Sequence, residues 1–190
     1  MPNEGPLAHI RHSLEEALAL ITGGHEEGAV DRWAVEPKDF EWMARAPYSV
    51  TGSATTTASL EAVFAVLADH ERWPEWFPLI TKTVVVGPAR EGVGMRRETS
   101  IPGGHLDELF LAWDPGKRLA FTCTAIKPRI WHALLDDCHI ERVGDRTHIT
   151  YATYLDPAPP VLPIMKLLKG HLNEQFDKGM RTLAALAEAR

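Results

Sequence analysis

Arg96, His132, Asp136 and Tyr151 are the polar residues that an alternating strand pattern turns toward an apolar interior. An arginine carries a fixed cation, and a carboxylate, an imidazole or a phenol can exchange a proton. The tight turn Gly144-Asp145 sets the register of two strands, 131–143 and 147–154, so that Arg142 opposes Thr147, Ile140 opposes Ile149 and Cys138 opposes Tyr151. Alternation then puts His132, Leu134, Asp136, Cys138 and Ile140 on one face, beside Ile149, Tyr151 and Thr153. Asp137, His139, Glu141, His148 and Thr150 fall on the other face and read as the wet side. A carboxylate on the apolar face is costly to bury unless it is paired.

The strands 95–101 and 105–113 admit two readings. With Leu109, Leu111 and Trp113 inward, the turn at Gly103-Gly104 carries Arg96, Glu98, Ser100 and Asp107 in with them. The opposite choice turns Met95, Arg97, Thr99, Glu108, Phe110 and Ala112 inward. The first is preferred because its apolar set is larger. Either choice places one arginine and at least one carboxylate on the concave face, as an internal ion pair or at a wet rim. Phe121, Leu172 and Phe176 complete the expected ligand-binding wall, with Trp76 and Phe77 at its mouth.

Other chemistries find no support. His132 and Asp136 lie four residues apart on one strand, about 13 Å, too far to be adjacent metal ligands. Cys123 and Cys138 fall out of line and read as small buried apolar residues. Gly92 to Gly94 is a hairpin turn rather than a phosphate loop, and no serine sits in a nucleophile elbow. His9, His12 and His25 lack a cysteine or a close ligand pair and read as solvated surface, so neither metal nor cofactor is expected.

The elements that must position these residues are legible. Strands are expected over 48–57, 81–86, 95–101, 105–113, 119–125, 131–143 and 147–154, with short connections that make neighbours antiparallel. A helix over 60–69 carries Leu60, Val63, Phe64, Val66 and Leu67 and is capped by Thr57 or Ser59. A one-turn segment follows, with Trp73 read as core. After Pro157, Pro159, Pro160 and Pro163, one long helix runs to about Ala187 on the stripe Met165, Leu168, Leu172, Phe176, Met180 and Leu183. Gly170 and Gly179 inside it mark close packing on the first helix or room for a ligand. The class is α+β: a curved seven-stranded antiparallel sheet wrapped around a long C-terminal helix, with two short helices after strand one. One helix cannot fill the concavity of so wide a sheet, and a cavity is expected.

Residues 1–47 form an N-terminal helical arm, too small to fold alone. It holds a helix capped by Ser13 and Glu16, a linker over 25–32, and Trp33, Val35, Phe40, Trp42 and Met43 around a turn beginning at Pro37. The arm is expected to pack on the main domain, 48–190, or on a second copy as a homodimer. The 190 residues carry a net charge of −6, which shows no electrostatic footprint for nucleic acid or anionic lipid. Two cysteines, no secretion signal and no membrane-length apolar run point to a cytoplasmic protein.

The stretch TTTASLEAVFAVLADHERWPEWFPLITKTVVV (55–86) resembles the opening of the START/SRPBCC superfamily, in its polyketide cyclase/dehydrase branch. Gly92 and Gly94, WDPGKRLAF (113–121) and GDRTHITY (144–151) extend the likeness across roughly Tyr48 to Arg190. The resemblance implies a helix-grip fold with a deep apolar cavity for lipids, sterols, polyketides or other aromatic molecules. Some members of that branch are aromatase/cyclases that work without a metal. No catalytic motif carries over residue by residue; matched by position alone, the resemblance implies Arg96 polarising a carbonyl or holding an enolate, and Tyr151, His132 or Asp136 moving protons. Three functions follow: a carrier or sensor of a hydrophobic small molecule, a cyclase or dehydratase, and an interaction protein whose Trp33 and Trp42 engage a partner.

Overall fold

The computed structural model describes residues 32–190. The helix expected near Leu14, most of the linker and the histidines His9, His12 and His25 lie outside the described residues. The strands are β1 (Trp33–Ala34), β2 (Tyr48–Thr56), β3 (Lys82–Val86), β4 (Arg96–Ile101), β5 (Gly104–Asp114), β6 (Arg118–Lys127), β7 (Trp131–Val143) and β8 (Arg146–Pro157). They form one antiparallel sheet in the order β2-β8-β7-β6-β5-β4-β3, with β1 joined to β6. The strand β1 was not anticipated, and β6 explains it. β7 pairs with β6 only along Arg118–Thr122. Where the two diverge, β1 takes up the free backbone, with Trp33 opposite Ile126 and the Val35 N–H donating to the Thr124 carbonyl at 3.0 Å.

Helix α1 (Leu60–Ala68) starts at Ser59, whose hydroxyl accepts from the Ala62 N–H, and buries Val63, Phe64, Val66 and Leu67. A 3-10 turn (His70–Arg72) leads into the single turn α2 (Trp73–Trp76). The C-terminal helix is two pieces rather than one: α3 (Leu162–Leu167) and α4 (Lys169–Glu188). The break follows Met165, whose carbonyl accepts the Tyr48 hydroxyl at 2.7 Å, an intrusion of the kind that kinks helices. α4 crosses the concave face in close contact with β2. A Cβ on Gly52 would stand 2.3 Å from the Phe176 carbonyl carbon, so only glycine admits the helix there. Asp177 accepts from the Ser53 N–H, and Glu188 accepts from Thr56 Oγ1 at 2.6 Å, which anchors the far end of the helix. Gly179 is in close packing too, though against Phe77 after α2 and not against α1, whereas nothing approaches Gly170.

Two β-bulges redirect side chains that strict alternation had placed. Between Phe110 and Ala112, β5 gains one residue on β6, so Leu111 is the extra residue. Between Trp131 and Ala133, β7 gains one residue on β8, so His132 is extra. A third irregularity, between Asp107 and Glu108, leaves Thr124 unpaired on β6.

The convex side is not uniformly wet. Asp137 points outward as read from the hairpin register, yet it is buried. The 3-10 turn Phe40–Arg45 lies over it: the Arg118 guanidinium bridges the Asp137 carboxylate at 2.8 and 2.9 Å and stands 3.8 Å from the Phe40 ring. The Lys38 N–H donates to Thr122 Oγ1, on the same outer face. The described part of the arm is thus a cover for the outer face of β6 and β7 of the same chain.

Candidate functional site

The hairpin β4–β5 decides the polar floor of the interior. Arg97 pairs with Glu108 and Thr99 with Leu106 across the two strands. Arg97, Thr99, Glu108, Phe110 and Met95 are all buried, which is the face opposite to the preferred reading. Arg96 is exposed, Leu109 and Leu111 are half-buried on the outer face, and Glu98 and Asp107 meet the Arg32 guanidinium there. The physical reason is the bulge at Leu111. Unbroken alternation ties Trp113 to Leu109 and Leu111, and that triplet made the larger apolar set. The extra residue releases Trp113 to the inner side, where its ring meets Phe64 at 5.6 Å, His70 at 5.5 Å and Phe110 at 5.7 Å. The inner apolar set is therefore Met95, Leu106, Phe110 and Trp113, with Arg97 and Glu108 among them.

Arg97 is fully enclosed. Its Nε donates to Glu108 Oε2 at 2.6 Å, and Thr99 Oγ1 donates to the same oxygen. The guanidinium carbon stands 4.0 Å from the Trp73 ring, 4.6 Å from Phe121 and 5.3 Å from Phe110, so aromatic faces hold the cation where water does not reach. Arg97 Nη1 lies 3.2 Å from His70 Nδ1. An arginine has no acceptor, so Nδ1 accepts and the imidazole carries its proton on Nε2. Burial, helped by the neighbouring Arg97 charge, depresses the His70 pKa to about 3 and keeps the ring neutral. The His70 carbonyl accepts the Thr83 hydroxyl, which fixes the residue to β3. The sequence reading passed over His70 because it lies between two helices, in neither period.

A second polar cluster stands on β7 and β8. Asp136 is opposite Thr153 in register and accepts its hydroxyl. Burial drives the Asp136 carboxyl up to about 7, against hydrogen bonding from Thr153 and Tyr151 that holds it down. The same burial, with the Asp136 charge beside it, raises the Tyr151 phenol well above its ordinary range. Phe121 lies between the clusters, opposite Asp136 on one side and Phe110 on the other. His132 takes no part: the bulge turns it to solvent. Cys123 and Cys138 are buried free thiols, their pKa values raised by desolvation.

Rings fill much of the region where a cavity was expected. Trp73, Trp76 and Phe77 are all buried. Trp73 donates its indole N–H to the Leu67 carbonyl at 2.8 Å and meets Trp76 at 4.6 Å. Phe77 meets Tyr151 at 5.4 Å and Phe176 at 5.0 Å, so Trp76 and Phe77 line the interior beneath α4 rather than an exposed mouth. Leu134 is buried with them, and Leu172 sits partly buried at the edge of this core. Four buried N–H groups find no acceptor among the described residues: Trp131 Nε1 at the start of β7, and Arg97 Nη2, His70 Nε2 and Trp76 Nε1 in this interior. Outside it, an open groove of about 450 Å³ lies between the end of β2 and α4, lined by Thr55, Arg146, Arg181 and Glu188 among others. Among the described residues no group of three or more His, Cys, Asp or Glu is placed to hold a metal ion, and no helix is long and apolar enough to cross a membrane.

Comparison with known proteins agrees with this architecture. A family model described as polyketide cyclase/dehydrase and lipid transport matches residues 47–188. Over 146 residues the chain is 29% identical to an uncharacterized protein of Mycobacterium tuberculosis, covering 76% of this chain and 87% of that one. Among solved structures it is similar to a START superfamily protein from Mycobacterium smegmatis, with a TM-score of 0.60, 16% identity, and coverage of 74% of this chain and 97% of the other. It is similar also to the Zhui aromatase/cyclase of a Streptomyces species, with a TM-score of 0.60, 16% identity, and coverage of 75% and 94%. At these identities the two structures speak for the helix-grip fold alone.

Proposed function

The chain belongs to the polyketide cyclase/dehydrase and lipid transport family, and from that premise we propose that it binds a hydrophobic small molecule bearing an acceptor oxygen between the sheet and α4. The observation that carries this reading is the set of three buried donors, Arg97 Nη2, His70 Nε2 and Trp76 Nε1, that lack an acceptor among the described residues. A buried donor left unmatched costs about 1–3 kcal/mol, and a ketone, enol or carboxyl oxygen among aromatic walls would match it. We place the route in beside α3, which buries none of its own side chains. Native mass spectrometry of the purified protein tests the reading, together with quenching of tryptophan fluorescence by fatty-acyl and polycyclic aromatic ketone probes. Saturable binding that weakens severalfold in Trp76→Phe, which removes one donor and keeps a ring, is the expected result. No retained molecule and no saturable quenching by any probe would refute it.

Asp136 favours a second reading, the metal-free cyclase or dehydratase. A buried carboxyl near 7 is poised to exchange a proton at neutral pH. Asp136 would take a proton from a carbon next to a ketone, and the Arg97 and His70 N–H groups would hold the enolate oxygen. The enolate carbon would then bond to a second carbonyl, whose oxygen takes that proton to become a hydroxyl. Asp136 would next move a second proton from the same carbon to the hydroxyl, which leaves as water as the carbon–carbon double bond forms. Arg97 thus takes the role first given to Arg96 and Asp136 keeps its own, whereas His70 supplies a neutral N–H donor in place of the proton transfer first given to His132. Turnover of a poly-β-keto thioester that is lost in Asp136→Asn, with probe affinity unchanged, separates enzyme from carrier.

A further inference from the structure

The chain as a whole is acidic, with 26 Asp and Glu against 20 Lys and Arg, yet among the described residues one end is predominantly basic, with Glu98, paired to Arg32, the carboxylate near its Lys82 and His105. That end gathers the start of β3, the β4–β5 hairpin, the β6–β7 loop and α3. The register places Lys82 opposite Ser100 and His105 opposite Lys127. A Cβ on Gly104 would touch the Lys127 carbonyl, and the Ala158 N–H donates to the Ile130 carbonyl, which brings the approach to α3 onto the same loop. At the other side Lys169 stands 5.4 Å from the Tyr48 ring, at the start of β2. The segments 78–83, 99–106, 127–131 and 157–173 contain Lys82, Lys127, Arg129, Lys166 and Lys169 and not one Asp or Glu. None of the five meets a carboxylate in the ion pairs found among the described residues. In their midst α3 presents Leu167, 85% exposed, and Ile164, 38% exposed.

We infer that this end docks on an anionic lipid bilayer, with α3 as the element that enters the headgroup layer. A short apolar face ringed by cations is the chemistry that recognises a negative membrane surface: each Lys or Arg near it contributes through the surface potential, and the apolar side chains through burial. A net charge of −6 hides the feature because most acids belong to other segments. The far end offers an internal control, Val93, which is 68% exposed at the β3–β4 turn. The inference does not depend on what the interior binds.

Vesicle flotation of the full chain tests it, with phosphatidylcholine alone against a phosphatidylcholine–phosphatidylglycerol mixture. The chain floats with the anionic vesicles and is released by salt. Lys127→Ala and Lys166→Ala each lower the partition coefficient about fivefold. Leu167→Asp abolishes flotation with an unchanged circular dichroism spectrum, and Val93→Asp leaves it intact. Failure to float with anionic vesicles overturns the inference, as does equal loss in Val93→Asp and Leu167→Asp. Capture by an acidic protein with no response to vesicles overturns it as well. Loss of interior ligand with flotation retained would sink only the binding proposal.

Discussion

Arg97 and Glu108 close a 2.6 Å contact across neighbouring strands, with the two side chains 0% and 2% exposed. A pair taken so far from water gives back in Coulomb attraction only what desolvation costs, so its balance rests on both members being present. Glu108→Gln is expected to destabilise the fold by about 3–5 kcal/mol, because it leaves the arginine charge unmatched in the core. The double variant Arg97→Met with Glu108→Leu is expected to recover most of that loss. Urea unfolding of the three proteins checks this. Equal losses in single and double variants would mean that packing, not charge, sets the cost.

Asp136 makes stability fall as pH rises. Its carboxyl titrates at about 7 in the folded chain against an ordinary value of 3.8. Between those values the folded state holds a proton that the unfolded state has lost, so stability declines across that window and levels off above it. Asp136→Asn removes the slope. Relative to wild type, the variant gains melting temperature progressively from about pH 4 to about pH 7. A constant difference over that range would show that the carboxyl is ionised in the fold.

His70 has the opposite sign. Its pKa is depressed to about 3 from 6.5, so the folded state refuses a proton that the unfolded state takes. Stability is complete above about pH 6.5 and is lost as pH falls toward 3. The imidazole is expected to show the Nε2–H tautomer and no titration between about pH 5 and 8 in nitrogen-15 correlation spectra. A midpoint near 6.5 would place Arg97 away from Nδ1.

Two glycines of the β2–α4 region should respond in opposite directions. Gly52→Ala drives a Cβ to 2.3 Å from the Phe176 backbone, where no side-chain rotation relieves it, and should cost about 3 kcal/mol. Gly170→Ala, with nothing within 4 Å, should stabilise the helix by about 1 kcal/mol. Thermal melts compare them. Destabilisation by Gly170→Ala would indicate that the space beside it is occupied.

By itself the sequence determined the helix-grip architecture, the seven long strands, a cap at Thr57 or Ser59 and the register of the β7–β8 hairpin. These rest on local chemistry: period-two alternation, turn glycines and capping hydroxyls act within a few residues, so they can be read in order along the chain. It also determined that one arginine and one carboxylate would face inward, and that Asp136 and Tyr151 would be among them.

Which arginine, and which histidine, only the tertiary structure decided. A bulge inserts one residue and reverses every side chain beyond it, and nothing in the composition of LFLAWD or WHALLD marks Leu111 or His132 as the inserted one. The outer cover over Asp137, the β1 addition to β6 and the basic end beside α3 likewise come from segments distant in sequence. Register and burial are settled by what packs on both faces of a strand, and a single strand carries no record of its second face.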